Sequence, residues 1–206
     1  MKNLLALAVG IILAVAGPLA LAAQFNTLVA LTGAKENPTN PSPGLGSAEI
    51  TLDTTAHTLR VSVNFAGLTA GTTASHLHCC VAPPGNAGVA TTTPSFVGFP
   101  LGVTSGSMDR TYDTTLASSW NNAFITANGG TPASAEAALA TGIQNGAVYL
   151  NIHTTAFPGG EIRGFLTTFG QATGSDAIPT LSEWALILLA TLLAATAWLV
   201  LRRRIR

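Results

Sequence analysis

Strict two-residue alternation between apolar and polar side chains constrains this chain more than any other feature. Ala48, Ile50 and Leu52 alternate with Ser47, Glu49, Thr51 and Asp53. Val61, Val63 and Phe65 alternate with Arg60, Ser62 and Asn64, and Leu150 and Ile152 with Tyr149, Asn151 and His153. Successive side chains on a strand point to opposite faces, so these runs predict strands with one face buried and one wet. Turn chemistry separates them: Asn37-Pro38, Pro41-Ser42-Pro43-Gly44, Pro83-Pro84-Gly85-Asn86 and Pro158-Gly159-Gly160. One segment departs from the pattern. After Gly129-Gly130-Thr131-Pro132, the stretch Ser134 to Ile143 is rich in Ala and Leu and predicts a short capped helix, with another helical turn within Ser118 to Phe124. The expected class is mainly β with a short helical insertion.

This pattern fills only the middle of the 206-residue chain. Lys2, the apolar stretch Leu4 to Val15, the break at Gly17-Pro18 and the small residues of Ala20-Leu21-Ala22 predict a signal peptide over residues 1–23, cleaved after Ala22 or Ala23. At the other end, Trp184 to Leu201 carries no charge and as a helix reaches roughly 27 Å, enough for a thin bilayer. Arg202, Arg203, Arg204 and Arg206 follow, and such basic tails collect in the cytoplasm, which leaves the domain outside the inner membrane. Residues 170–177 (Gly, Gln, Thr, Ser, Asp and Ala) read as a flexible stalk. The positive mean hydropathy comes largely from these ends. Between Gln24 and Ala177 four bases face eight acids, a net charge of −4, which argues against a nucleic-acid partner.

The string Ile178-Pro179-Thr180-Leu181-Ser182-Glu183-Trp184, the apolar segment and the Arg cluster resemble the IPTL-CTERM sorting signal over residues 178–206. It is a relative of the PEP-CTERM signals of exported proteins in Gram-negative bacteria. The resemblance implies a membrane-anchored precursor, recognised and cut by an exosortase-type peptidase and passed to the cell surface or beyond. Pro179 keeps the preceding residue out of the helical region, so the motif stays extended and accessible. Farther upstream, Gly67-Leu68, Ser75-His76-Leu77-His78, Asn151-Ile152-His153-Thr154 and Pro158-Gly159-Gly160-Glu161-Ile162-Arg163-Gly164 resemble a CHRD domain, the module named after chordin, over residues 24–169. That family resemblance implies an antiparallel β-sandwich and supplies no biochemical role.

His76 and His78 lie two apart on one predicted strand, so they project side by side, and Cys80 joins them if the strand continues. With His153 from another strand they form a candidate transition-metal site, since imidazole suits Cu and Zn and a thiolate favours Cu(I) or Zn. The His-x-His pair after a Gly-Leu also resembles Cu/Zn superoxide dismutase, but with His57 the only other histidine the chain lacks a two-metal cluster. A purely structural reading competes: His153, Asn151, Glu161 and Arg163 form a polar network that pins the last hairpin, with Arg163 bridging Glu161 or a backbone carbonyl and His76 and His78 as further partners. Cys79 and Cys80 are the only cysteines. Export favours oxidation, yet adjacent trans Cα atoms sit about 3.8 Å apart, below the usual disulfide range of roughly 4.4–6.8 Å. A vicinal disulfide, an intermolecular bridge and free or metal-bound thiols all remain open. Trp120 is expected in the core and Tyr112 on a surface. No nucleophile elbow, phosphate loop, calcium loop or His-Glu-x-x-His helix is present. The expectation is an exported, non-catalytic domain for adhesion, matrix or partner binding; the alternatives are a Cu or Zn protein and a structural polymer subunit.

Overall fold

The computed structural model describes residues 24–167 together with Leu189, Leu193 and Trp198. The expected signal peptide with Ala22 and Ala23, the stalk 170–177, the motif 178–184 and the basic tail 202–206 lie outside the described residues. Leu189, Leu193 and Trp198 are helical, and among the described residues no helix is long and apolar enough to cross a membrane.

The alternating runs become strands of one antiparallel sheet. In chain order these are β1 (Gln24–Thr32), β2 (Leu45–Asp53), β3 (Thr58–Ala66), β4 (Thr72–Cys79), β5 (Gly88–Val89), β6 (Gly106–Asp113), β7 (Val148–Thr154) and β8 (Ile162–Phe165). Spatially they run β5-β4-β7-β8-β1-β2-β3-β6. β1, β2 and β3 form an up-and-down meander in unbroken register from Gln24↔Asp53 to Thr32↔Leu45 and from Leu45↔Ala66 to Asp53↔Thr58. Their apolar positions (Phe25, Val29, Leu31, Ile50, Leu52, Leu59, Val61, Val63) are buried, and Arg60 on the opposite face is held by Asp109 and Glu49. The β2–β3 turn is set by the Asp53 carboxylate, which accepts from Thr55 N and Ala56 N and leaves His57 at φ 53°.

The expected sandwich of two sheets is therefore replaced by a single sheet that curls over its own apolar face. Phe96 joins its two ends: its N–H donates to Ser75 O on β4 while its ring stacks on Tyr112 of β6 at 5.3 Å. Tyr112, expected on a surface, is part of this closure and donates its hydroxyl to Val97 O. A one-sheet curl satisfies the same requirement as a sandwich, because both halves bury their apolar faces in one core.

Two helices close one end. α1 (Asn122–Ala127) is capped by Asn121, whose side chain accepts from Ala123 N. α2 (Pro132–Gln144) begins with a capping box between Thr131 and Ser134 and has Pro132 in its first turn, where the missing N–H costs nothing. Both helical expectations hold, with α1 starting four residues later than the predicted turn and a short 3-10 segment at Ala117–Ser119 before it. α2 buries Ala135, Leu139 and Ile143. Its Glu136 is buried as well, bonded to His57 Nδ1 at 3.0 Å and to the Thr114 hydroxyl, so one carboxylate ties the helix to the β2–β3 turn and to the end of β6. Trp120 is in the core as expected, and its indole N–H donates to Thr114 O at 2.9 Å.

Candidate metal centre

β7 departs most from its sequence pattern. All seven of its residues are buried, including Tyr149, Asn151 and His153, which alternation placed on a wet face. Leu150 and Ile152 face the core. The opposite face is covered by the segment after β1 and by the loop between β4 and β5, which are joined by Asn86 Nδ2 donating to Asn37 O, while Asn40 Nδ2 ties the first of them to the β7–β8 turn by donating to Gly160 O and Glu161 O. Polar alternation thus marks a second interior here, one built from hydrogen-bonding side chains.

Register assembles this interior. β4 pairs with β7 through Ala74↔His153, His76↔Asn151 and His78↔Tyr149, and β7 pairs with β8 through Asn151↔Arg163 and Tyr149↔Phe165. All of these side chains share one face. His76, His78 and His153 are 7 %, 7 % and 9 % exposed, and their ring centroids lie 4.9–5.7 Å apart. One nitrogen from each ring lies within 4.8 Å of the other two.

The second nitrogen of each ring is fixed by a backbone carbonyl. His76 Nε2 is 2.7 Å from Pro94 O, His78 Nδ1 is 2.8 Å from Ala87 O and His153 Nδ1 is 2.9 Å from Pro158 O. A carbonyl only accepts, so each of these nitrogens carries the proton and the remaining one presents a lone pair. Those remaining atoms, His76 Nδ1, His78 Nε2 and His153 Nε2, are buried without a hydrogen-bond partner. A buried polar atom left unpaired costs about 1–3 kcal/mol, so the three together fit a metal ion or a hydrogen-bond donor that would take up their lone pairs. Carbonyl-pinned imidazoles are also the usual outer support of a metal site, since the pin fixes both tautomer and ring plane. Burial pushes His76 and His78 down to about 4, against the carbonyl hydrogen bonds, and lowers His153 in the same way. At neutral pH all three rings are the uncharged form that binds metals.

Arg163 organises the rest of the polar interior and is fully buried. Its guanidinium donates to Pro84 O at 2.8 Å, Asn86 Oδ1 at 2.7 Å and Lys35 O at 2.5 Å, and lies over the Tyr149 ring at 4.7 Å. Tyr149 in turn stacks on His78 at 4.7 Å with a tilt of 3°. Of the two partners sequence offered Arg163, the structure shows backbone carbonyls. The carboxylate beside it is Glu36, at 3.7 Å, rather than Glu161. Burial pushes Glu36 up to about 7, only partly opposed by Arg163 and Asn151. Glu161 instead accepts from Ser42 Oγ, Thr69 N and Thr154 Oγ1; burial raises its pKa, but these bonds outweigh that and hold it below the ordinary range.

Cys80 does not join the histidines. β4 ends at Cys79, and the two cysteines form a disulfide. Cys79 enters the apolar core, while Cys80 is exposed beside Ala138 O of α2, where it lines a surface pocket with Asn128, Thr141 and Asn145. With no thiolate and no continuing strand, it is not a ligand. His57, bonded to Glu136, is likewise apart from the group. Glu36 and the three pinning carbonyls went unnoticed in the sequence. The carbonyls of Ala87 and Pro158 sit in or beside turn clusters that were legible and that of Pro94 does not, and no side-chain pattern marks a backbone oxygen.

The geometry defines a class first: a curled antiparallel β domain with a buried three-imidazole centre, followed by a separate C-terminal unit over Gly170–Arg206. The chain belongs to the CHRD domain family, whose family model matches residues 27–166, and an IPTL-CTERM motif matches residues 176–204. No curated protein and no solved structure matches the chain.

Proposed function

We propose that this protein is an exported, non-catalytic CHRD module that holds one transition-metal ion, Cu or Zn, on His76, His78 and His153. The observation that carries the reading is the set of three buried, unpaired imidazole nitrogens whose partner nitrogens are pinned by carbonyls. The IPTL-CTERM motif supports export and sorting to the envelope, with signal peptidase and an exosortase-type peptidase as the processing partners. The metal would be bound and oriented by the three rings, and the polar interior around Arg163 and Asn151 would keep those rings in place.

Metal analysis of the chain isolated from the cell envelope tests this. About one equivalent of Cu or Zn is expected, with loss of binding in His153→Gln. Less than about a tenth of an equivalent after reconstitution contradicts the reading. A second reading, partner or matrix binding at the surface, is favoured by Val97 and Leu101, which are 70 % and 55 % exposed on the same closing loop. Replacing both with Ser would then abolish retention on purified envelope polymers without altering metal content.

A further inference from the structure

The three-histidine centre carries no anionic group. Its outer shell consists of three neutral carbonyls, from Pro94, Ala87 and Pro158, with no carboxylate among them. No Asp or Glu among the described residues belongs to the ligand group. The carboxylate in the same polar interior, Glu36, faces Arg163 at 3.7 Å, where the two charges offset each other when both are ionised. Cys80 contributes no thiolate because it is in a disulfide. Neutral ligands in a neutral shell leave the ion's own charge uncompensated.

Burying an uncompensated ion is costly, and the cost rises with the square of its charge. A divalent ion at this depth therefore carries about four times the solvation penalty of a monovalent one. Arg163 adds to the bias. Its guanidinium lies over Tyr149, and Tyr149 is stacked on His78, so a positive charge stands one ring away from the site, in full whenever Glu36 is protonated. Coordination number points the same way. Zn(II) in a closed protein site takes four ligands in a tetrahedron; the chain supplies three, so Zn(II) here would need a water as its fourth. Cu(I) has a filled d shell and accepts three nitrogens in a plane.

We infer that this centre selects monovalent copper over Zn(II) and Cu(II), because three neutral imidazoles backed only by carbonyls and overlooked by Arg163 leave a buried ion's charge unbalanced. The inference rests on the metal-binding reading above and narrows it to one ion and oxidation state. No redox step is assigned to the protein. The site's role in this respect is to hold copper in the reduced form.

The test uses the full chain, loaded without oxygen with Cu(I) and then challenged with about a tenfold excess of Zn(II) or exposed to air. The expected result is one Cu(I) per chain that neither Zn(II) nor air removes, with no Cu(II) paramagnetic signal. X-ray absorption should show a cuprous edge and three nitrogen neighbours. If Zn(II) displaces the copper, or a stable Cu(II) signal develops on the same three histidines, monovalent selection is overturned while the three-histidine site stands. If the chain retains neither Cu nor Zn, both readings fall together. The absorption and resonance measurements need no variant, so a misfolded mutant cannot confuse the outcome.

Discussion

At the scale of single residues, the ionisable groups of the polar interior make this protein's stability depend on pH in a defined direction. His76 and His78 sit at about 4 when folded and near 6.5 when unfolded, and His153 shifts the same way. Below pH 6.5 the unfolded chain takes up protons that the folded rings refuse, so stability present above 6.5 is lost progressively toward 4. Glu36 works oppositely: its carboxyl is at about 7 when folded and 4.5 when unfolded, so its contribution is complete below 4.5 and lost as pH rises through 7. Three imidazoles outweigh one carboxyl, and the melting temperature of the metal-free chain is expected to peak near pH 6.5 and fall toward 4. A level or rising melting temperature on acidification through that range contradicts this balance. Arg163 gives a second residue-scale prediction. Truncating it to Ala leaves the carbonyls of Lys35 and Pro84 without a donor and Glu36 without its cation, and should cost about 3–5 kcal/mol in urea denaturation. A loss under about 1 kcal/mol would mean that water replaces the guanidinium freely.

Among the elements, the β2 and β3 pair was legible because one face meets the core and the other meets water, so hydrophobicity records orientation directly. β7 was misread for the complementary reason. Its polar positions are buried in a hydrogen-bonded interior, and alternation cannot distinguish a wet face from a polar buried one. His76, His78 and His153 could be grouped from spacing, but their convergence depends on the register Ala74↔His153, which sequence does not state. The one-sheet topology was also hidden, because the loop carrying Phe96 makes the closure and has no periodicity of its own. Two of the contacts that attach α2 can be tested by substitution. Glu136→Ala would strand the buried Thr114 hydroxyl and release the half-exposed His57, with an expected cost of about 1–3 kcal/mol. At Gly142 a Cβ would stand 2.5 Å from Cys79 Sγ and 2.9 Å from Val148 Cγ2. Gly142→Ala is accordingly expected to destabilise by about 1–3 kcal/mol, and a neutral effect would show that the helix can slide off the disulfide.

On the scale of the whole molecule, the described residues 24–167 belong to one compact unit, and its buried core ends at Leu166. Deleting residues 170–206 is expected to leave the melting temperature and the metal content unchanged. A deletion that lowers the melting temperature by about 4 °C or more would show that the tail contributes roughly 1 kcal/mol to the fold. The resemblance to two known modules was legible here from short strings alone, because sorting signals and the two histidine blocks are read locally and need no tertiary context.

The two rims of the curled sheet have a consequence for how copies of this domain meet at high concentration. One rim is β5, only two residues long, and the other is β6, which carries Asp109, Arg110 and Asp113. A stub offers an incoming strand almost no ladder to extend, and charged side chains discourage splicing along the other rim. Copies of the domain brought close together are thereby expected to stay separate instead of adding strand to strand.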